Sequence, residues 1–182
     1  MPPTGKTGIT KAMSKKVILV TGGQRSGKSG YAQRLALSLS PKPVYLATSR
    51  IWDEEFRKRV ERHQRDRGPE WTNIEEEKYL SCHDLTGRVV VIDCVTLGNE
   101  FLLRQSKRRG IISLPPQSGV DKLSRQDAYL IFVTNELGMG GVPIDEVQRK
   151  FTDMQGWLNQ YIASKADEVV LMVSGIPVKI KE

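Results

Sequence analysis

Apolar residues form five short runs that are rich in β-branched side chains. They are Val17 to Thr21, Val44 to Ala47, Val89 to Val95, Leu130 to Thr134 and Val169 to Ser174. Within each run the apolar residues are too continuous for a sheet that is covered on one face only. Such runs are typical of buried parallel strands, so the pattern predicts a mostly parallel sheet at the centre of the molecule.

Segments with a helical repeat separate the predicted strands. The clearest runs from Ile144 to Ile162, where apolar residues recur at steps of three and four and form one stripe. Pro143 and Asp145 suit its first turn, since proline gives up no helical hydrogen bond there and a carboxylate suits the positive end of a helix. The stretch from Lys107 to Arg125 lacks such a repeat and predicts a mobile loop. Alternating strands and helices indicate an α/β fold.

Length and composition limit the classes of protein to consider. A chain of 182 residues can bury one sizeable core but is short for two. We therefore expect a flexible leader, residues 1–14, followed by a single domain, residues 15–182. The sequence contains no apolar run of membrane-spanning length and no secretory signal, and its two cysteines lack metal or disulfide spacing. These features predict a cytoplasmic protein.

The sequence GGQRSGKS lies between a predicted strand and a predicted helix and matches the P-loop pattern. Its glycines let the backbone curl so that N–H groups point at phosphate oxygens, while Lys28 adds a positive charge and Ser29 a ligand for Mg²⁺. The strand and helix on either side disfavour the alternative of an ordinary glycine turn. We expect a nucleotide to contact the whole loop: Gly22, Gly23, Gln24, Arg25, Ser26, Gly27, Lys28 and Ser29.

A buried acid is expected to work with this loop. Asp93 follows four apolar residues in RVVVIDCV, and a carboxylate there is costly to bury without a cation or a hydrogen-bond partner. At the end of a neighbouring strand it would hold or orient Mg²⁺. The structural alternative is a carboxylate that backbone donors satisfy.

A second candidate site is the basic segment DEEFRKRVERHQRDRGPEW, which contains His63. At helical spacing Phe56, Val60 and His63 share a face, and the arginines occupy the others. Neutral imidazole could attack phosphorus while arginines bind a polyphosphate, since nearby cations lower the pKa of the imidazole. From spacing alone, a solvated basic helix is the more common case.

Several stretches together resemble one family of enzymes. They are GGQRSGKS, YLATS, RVERHQRDRGPEW, VTNELGMGGVP, ADEVVLMVSG and GIPVKIK, in this order from about Val17 to the C-terminus. The family is the bifunctional adenosylcobinamide kinase / adenosylcobinamide-phosphate guanylyltransferase of cobalamin assembly. VTNELGMG and SGIPVKIK are far more specific than the P-loop alone.

The resemblance implies two consecutive reactions. First, ATP or GTP phosphorylates the aminopropanol hydroxyl of adenosylcobinamide. GTP then guanylylates a histidine that matches His63, and the cobinamide phosphate takes the GMP to give adenosylcobinamide-GDP. The catalytic residues would be His63, Lys28 and Asp93, with Mg²⁺ held through the nucleotide by Ser29 and Asp93.

The same match implies further contacts to the nucleotide and an assembly. The contact residues are the P-loop with Ala47, Thr48, Ser49, Gln64, Arg65, Asp66, Arg67, Glu75 and Asp93. A carboxylate such as Glu75 or Asp93 could read the N–H donors of guanine. A homotrimer is expected, with no nucleic acid and no membrane span. The chain departs from some relatives in having Arg62 before His63, where they carry a second histidine, and an aspartate at position 93, where others have glutamate.

Other interpretations stay open at this point. One is a small P-loop kinase with another acceptor and no guanylylation. Another is a basic nucleic-acid-binding P-loop protein, which the net charge of +7 permits but the lack of interleaved aromatic residues disfavours. Asn135 and Glu136 could line the nucleotide or corrinoid pocket, or form only a turn with the glycines that follow.

Overall fold

The computed structural model describes residues 14–48, 54, 57, 58, 61, 65, 67–76, 80–97 and 117–182. Seven strands form one sheet: β1 (Lys16–Gly22), β2 (Val44–Ala47), β3 (Thr72–Glu75), β4 (Val89–Asp93), β5 (Tyr129–Val133), β6 (Glu168–Val173) and β7 (Ile176–Lys181). The longer helices are α1 (Lys28–Leu39), α2 (Gln117–Arg125) and α3 (Glu146–Lys165). Short 3-10 turns occupy Leu80–Cys82, Val95–Leu97 and Gly138–Gly140.

The strands lie in the order β3-β2-β4-β5-β1-β6-β7. All neighbouring pairs are parallel except β6 and β7, which are antiparallel. The five strands predicted from apolar runs are confirmed, as is the mostly parallel sheet. The sequence missed β3 and β7, which lie at the two edges of the sheet. Edge strands need less apolar content than central ones, and they tolerate a proline such as Pro177 in β7.

Helices cover both faces of the sheet. Leu19, Ile92 and Phe132 belong to one core, together with residues of α2 and α3. Ile18 and Val91 belong to the other core, which includes the buried face of α1. Because successive side chains of a strand point to opposite faces, the central strands need apolar residues at nearly every position. This explains the continuous runs in the sequence. No helix in the described ranges has the length and apolar content of a membrane span.

The mobile loop predicted from Lys107 to Arg125 is wrong for its last part, which forms α2. Val120 and Leu123 are fully buried, and the hydroxyl of Tyr161 on α3 donates to Asp121 at 2.6 Å. Nine residues are too few for a clear repeat, so tertiary packing decides the conformation here. Residues 107–116 lie outside the described residues, as do residues 1–13 of the predicted leader.

The stripe predicted from Ile144 to Ile162 is only partly buried. Asp145 caps α3 by accepting a hydrogen bond from the N–H of Gln148 at 2.9 Å, so the helix begins just after it. Leu158 and Ile162 face the core, but Ile144 is 97% exposed and Val147 is 72% exposed. Periodicity identified an apolar face correctly but could not tell that the start of this face lies at the surface.

Candidate active site

The phosphate loop connects β1 to α1 at the carboxyl end of the sheet, and two of its glycines are required by their surroundings. A Cβ on Gly22 would lie 2.6 Å from the carbonyl oxygen of Met172. Gly27 adopts a φ of 92°, which side chains disfavour, and its Cβ would meet the Cα of Gly175 at 3.3 Å. The backbone path therefore depends on glycine at both positions, as the P-loop pattern predicts.

The turn between β6 and β7 supports this loop. The N–H of Gly175 donates to the carbonyl of Ser26 at 3.0 Å, and Gly175 itself has a φ of 85°. The sequence singled out SGIPVKIK only as a family motif. The structure gives the motif a physical role, since its first two residues form a turn that packs against the phosphate loop.

Lys28 is buried within the loop. Its Nζ donates to the carbonyl of Gly23 at 2.6 Å, and burial lowers the pKa of Lys28 below its ordinary value, with partial compensation from Asp93 and Cys94. The electrostatic interaction with Asp93 shows that the fold brings the predicted lysine and acid into the same region. A buried cation of this kind would gain from an anionic ligand, whose charge favours the protonated form.

Two buried hydroxyls belong to the end of β1 and to the phosphate loop. The Oγ1 of Thr21 and the Oγ of Ser26 are buried and have no hydrogen-bond partner among the described residues. Ser29, in the first turn of α1, is half-buried. Buried hydroxyls normally have partners, so these two are polar groups that the described residues leave unsatisfied.

Asp93 ends β4 and accepts a hydrogen bond from the hydroxyl of Tyr45 at 2.7 Å. Burial raises the pKa of Tyr45 well above its ordinary value, and the charge of Asp93 raises it further. The phenol therefore stays protonated and acts as the donor. From the sequence, the structural alternative for Asp93 was a carboxylate satisfied by backbone donors. The observed donor is instead the side chain of Tyr45, on the neighbouring strand β2.

Arg67 differs from the other described arginines of the basic segment. Its guanidinium lies 3.8 Å from the centroid of the Tyr45 ring, and its Nε donates to the side chain of Asn73 at 2.7 Å. Trp71 packs edge-to-face on the same ring, with centroids 5.8 Å apart. Only 9% of Arg67 is exposed, so the solvated basic helix that was the alternative for this segment does not extend to Arg67. Its cation–π contact links the basic segment to Asp93 through Tyr45.

Thr48, another predicted contact, is fully buried at the end of β2. Its hydroxyl donates to the carbonyl of Cys94 at 2.5 Å, and its N–H donates to the carbonyl of Asp93 at 3.2 Å. These bonds tie β2 to β4 beside the acid. The side chain of Thr48 thus stabilises the end of the strand.

Glu75 lies farther from the phosphate loop than Asp93 does. It pairs with Ala47 at the ends of β3 and β2, and β3 is four strands away from β1, whereas β4 is two strands away. At about 4.8 Å per strand, these separations are about 19 Å and about 10 Å. Glu75 is also exposed. The structure therefore brings together Lys28 and Asp93 but does not place Glu75 beside the phosphates.

Four other predicted site residues lie outside the described residues: Ser49, His63, Gln64 and Asp66. Of the basic segment before Arg67, the described residues are helical and exposed: Glu54, Arg57, Lys58, Glu61 and Arg65. Arg57 forms an exposed ion pair with Glu54 at 3.5 Å. These residues agree with the predicted basic helix.

The sequence allowed two interpretations of the corner after β5, a pocket wall or a simple turn. In the structure, buried side-chain amides support this corner. The N–H of Asn135 donates to Thr96 Oγ1 at 2.9 Å, and Asn159 on α3 donates to the carbonyl of Asn135 at 3.0 Å. Thr134 and the fully buried Gln155 both donate to the side chain of Asn159. Such a network holds the corner in a single position.

Comparison with known proteins identifies relatives that match about nine-tenths of the chain. A family model described as "Cobinamide kinase / cobinamide phosphate guanyltransferase" matches residues 18–180. The bifunctional adenosylcobalamin biosynthesis protein CobU of Escherichia coli is 39% identical over 91% of this chain and 99% of its own length. CobU of Salmonella typhimurium is 38% identical with the same coverage. CobP of Pseudomonas aeruginosa is 33% identical over 90% of this chain and 96% of its own length.

Solved structures give more distant likenesses. The flagellar accessory protein FlaH of Methanocaldococcus jannaschii has a TM-score of 0.47 at 12% identity, covering 92% of this chain and 79% of that chain. The P4 protein of bacteriophage phi6 has a TM-score of 0.47 at 15% identity, covering 97% and 58%. Likeness at this level carries no functional information.

Proposed function

The chain belongs to the cobinamide kinase / cobinamide phosphate guanyltransferase family, and from this membership we infer that it is a bifunctional enzyme of cobalamin biosynthesis. It phosphorylates adenosylcobinamide with a nucleoside triphosphate and then transfers GMP from GTP to give adenosylcobinamide-GDP. The observation that carries this function is the family match over residues 18–180 together with a formed phosphate loop.

For the kinase reaction, the phosphate loop would bind the triphosphate of ATP or GTP. Phosphoryl transfer is catalysed mainly by positioning and by stabilising charge on the transferred group. Lys28 is suited to this role because it is buried and its pKa is lowered by that burial, so phosphate oxygens would be better partners than its present carbonyl. Gly22 and Gly27 allow the backbone N–H groups to approach the same oxygens.

The residues around Lys28 also fit a magnesium ion. Ser29 would supply a hydroxyl from the first turn of α1, and Asp93 would supply a carboxylate that Tyr45 already orients. Oxygen ligands of this kind are the ones that Mg²⁺ prefers. Bound with the nucleotide, the ion would neutralise charge on the phosphates.

For the guanylyl transfer, His63 would act as the nucleophile. A ring nitrogen bonds to the α-phosphorus of GTP as the bond to the pyrophosphate oxygen breaks, and the cobinamide phosphate then displaces the histidine. Charge grows on pyrophosphate during attack, so Lys28 and the arginines of the basic segment would stabilise the transition state. The remaining proposed contacts are Gln24, Arg25, Ala47, Thr48, Ser49, Gln64, Arg65, Asp66 and Arg67.

The recognition of guanine fits Glu75 better than Asp93. Asp93 lies near Lys28 and is hydrogen-bonded to Tyr45, whereas Glu75 is exposed at the end of the sheet far from the phosphate loop. A nucleotide that extends from the loop along the carboxyl end of the sheet would present its base on that side. Exchange of Glu75 for Gln should reduce the preference for GTP over ATP, and an unchanged preference would exclude this role.

Labelling with GTP that carries a labelled α-phosphate tests the guanylyl transfer. Wild-type protein should retain the label through a denaturing gel in a linkage that is stable to base and lost in acid, whereas His63→Ala should not. The matched control is His83→Ala, since His83 is the second histidine of the chain and lies beside Glu76 at 3.7 Å. Absence of label on the wild type, with GTP binding intact, would contradict guanylylation and leave a P-loop kinase.

We also propose that the protein assembles as a homotrimer and works in the cytoplasm, where both reactions find ATP and GTP. Large apolar side chains that are exposed in two parts of the chain support self-association, since an interface would bury them. They are Met139, Val142, Ile144 and Val147, and Val173, Ile176, Val178 and Ile180. The mass in solution should be three times that of the chain, and the mass of a single chain would contradict the trimer. Cell fractionation checks the location.

A further inference from the structure

The corner after β5 places a carboxylate beside the phosphate loop. The N–H of Thr134 donates to the carbonyl of Val20 at 3.0 Å, and that of Glu136 donates to the carbonyl of Gly22 at 2.9 Å. The pairing of β5 with β1 therefore continues past the end of β5 as far as the first glycine of the loop. Because β5 lies between β1 and β4, Glu136 comes to the carboxyl end of the sheet between this loop and the strand of Asp93.

The Glu136 carboxylate is available for chemistry. It is half-buried and forms no ion pair within the described part of the chain. Its Oε1 accepts a hydrogen bond from the N–H of Gly138 at 2.8 Å. The buried amides of Asn159 and Gln155 fix the backbone of this corner. A simple surface turn would not need such support.

The other described carboxylates at this end of the sheet are less suited to accept a proton. Asp93 accepts a hydrogen bond from Tyr45 and is the proposed carboxylate ligand of the magnesium ion. Glu75 and Glu76 lie at the end of β3, four strands away from β1. Glu136 lies next to the loop and is not a proposed magnesium ligand, and the hydrogen bond from Gly138 engages only its Oε1.

We propose that Glu136 is the general base of the kinase reaction, an assignment that rests on the kinase function proposed above. The acceptor hydroxyl oxygen bonds to the γ-phosphorus as the bond from that phosphorus to the β,γ-bridging oxygen breaks. The hydroxyl proton moves to the Glu136 carboxylate, and the nucleoside diphosphate leaves. The guanylyl transfer needs no such base, because its attacking atoms are an imidazole nitrogen lone pair and an ionised phosphate oxygen.

The test compares both reactions in Glu136→Gln. Glutamine can still accept the hydrogen bond from Gly138 but cannot take up a proton. With adenosylcobinamide and γ-labelled ATP, the kcat of phosphorylation should fall by about 10²-fold, which is typical for loss of a general base. The KM for ATP should stay within about threefold, since nucleotide binding is unaffected. Labelling by α-labelled GTP should also persist.

The matched control is Asp145→Asn, which alters a carboxylate that likewise accepts a backbone hydrogen bond in the same part of the chain. It should leave phosphorylation unchanged. Equal phosphorylation by Glu136→Gln and wild type would overturn the proposal, and so would an equal loss of phosphorylation and GMP labelling, which would indicate a damaged loop. If the wild type itself fails to phosphorylate adenosylcobinamide, the kinase function falls and the role of Glu136 with it.

Discussion

The two ends of the sheet differ in how their charged side chains are paired. At the amino end, Glu168 accepts a hydrogen bond from Lys16 at 2.9 Å and lies 3.4 Å from Lys179. At the carboxyl end, Lys28 has a backbone carbonyl as its hydrogen-bond partner, and the buried hydroxyl of Ser26 has none among the described residues. The amino end pairs a carboxylate with two lysines, whereas the buried lysine at the carboxyl end has no carboxylate as a hydrogen-bond partner among the described residues.

This difference separates structural from functional polar groups. A buried charge without an opposite charge costs stability, whereas a paired one costs less or contributes to it. Perturbed ionisable groups that lie in one region are therefore candidates for function. The functional candidates are Lys28 and Tyr45, whose pKa values are shifted by burial, with Asp93, which accepts the hydrogen bond of Tyr45. The charges around Glu168 are paired with one another and hold the sheet together.

Exchanging one lysine at each end of the sheet should give the largest difference in activity between two variants. Lys28→Met should reduce phosphorylation and GMP labelling by about 10²- to 10³-fold, because it removes a charge that stabilises the transition state. Its midpoint of thermal unfolding should change little, since a buried cation has been replaced by an apolar side chain. Steady-state kinetics and thermal unfolding measure the two effects.

Lys16→Met is the matched variant at the amino end. It removes the partner of Glu168, so the midpoint of unfolding should fall while both activities remain. Loss of activity in Lys16→Met, or full activity in Lys28→Met, would break the distinction between the two ends.

Tyr45→Phe should have an intermediate effect at the carboxyl end. The variant removes the hydrogen bond to Asp93 but keeps the ring that contacts Arg67 and Trp71. Because the loss of a hydrogen bond to a charged group is worth about 1.5 kcal/mol, the Mg²⁺ concentration for half-maximal phosphorylation should rise by about tenfold. A magnesium titration at saturating ATP measures this shift.

Tyr129→Phe is the control for the tyrosine exchange, because Tyr129 lies at the start of β5, at the other end of the sheet. Its magnesium dependence should match that of the wild type. If Tyr45→Phe also matched the wild type, Tyr45 would have a packing role only, and the orientation of Asp93 would have to come from elsewhere.

The sequence predicted the central sheet well because burial on both faces leaves a direct trace in each strand. It missed β3 and β7, whose residues are more polar or fully exposed, and α2, whose buried residues Val120 and Leu123 make too short a stripe to recognise. Elements that are defined by their neighbours rather than by their own composition could not be predicted in this way.

The sequence likewise predicted those site residues that leave a local trace, and missed those that depend on neighbouring strands. Lys28 and Asp93 follow from a local motif and from an acid at the end of an apolar run. Tyr45 reads in the sequence as one more strand residue, and only the register of β2 against β4, which pairs Ala47 with Asp93, brings its hydroxyl to the acid. The contact of Arg67 with the ring of Tyr45 also could not be predicted from the sequence. Contacts between strands depend on register, which single-strand patterns do not encode.

The smallest predicted effect concerns the pH dependence of stability at the amino end. Burial raises the pKa of Glu168, but the hydrogen bond from Lys16 and the charges of Lys16 and Lys179 outweigh it, so the pKa lies below its ordinary value of 4.5. A lowered pKa in the folded state means that the ionised form stabilises the fold above pH 4.5. This contribution is lost as the pH falls through the pKa of the folded state.

Glu168→Gln should therefore lower the free energy of unfolding by about 1.5 kcal/mol at pH 7, the lower end of the range for a hydrogen bond to a charged group, because the Lys16 side chain is partly exposed. At pH values below the folded-state pKa of Glu168 the difference from wild type should shrink, because the wild-type carboxyl is then protonated as well. Urea unfolding at several pH values measures both. The control is Glu146→Gln, which breaks an exposed pair with Lys150 at 2.6 Å. It should change neither the free energy of unfolding at pH 7 nor the dependence of that free energy on pH. A constant difference at all pH values would mean that Glu168 acts through packing, so that charge pairing would not distinguish the two ends.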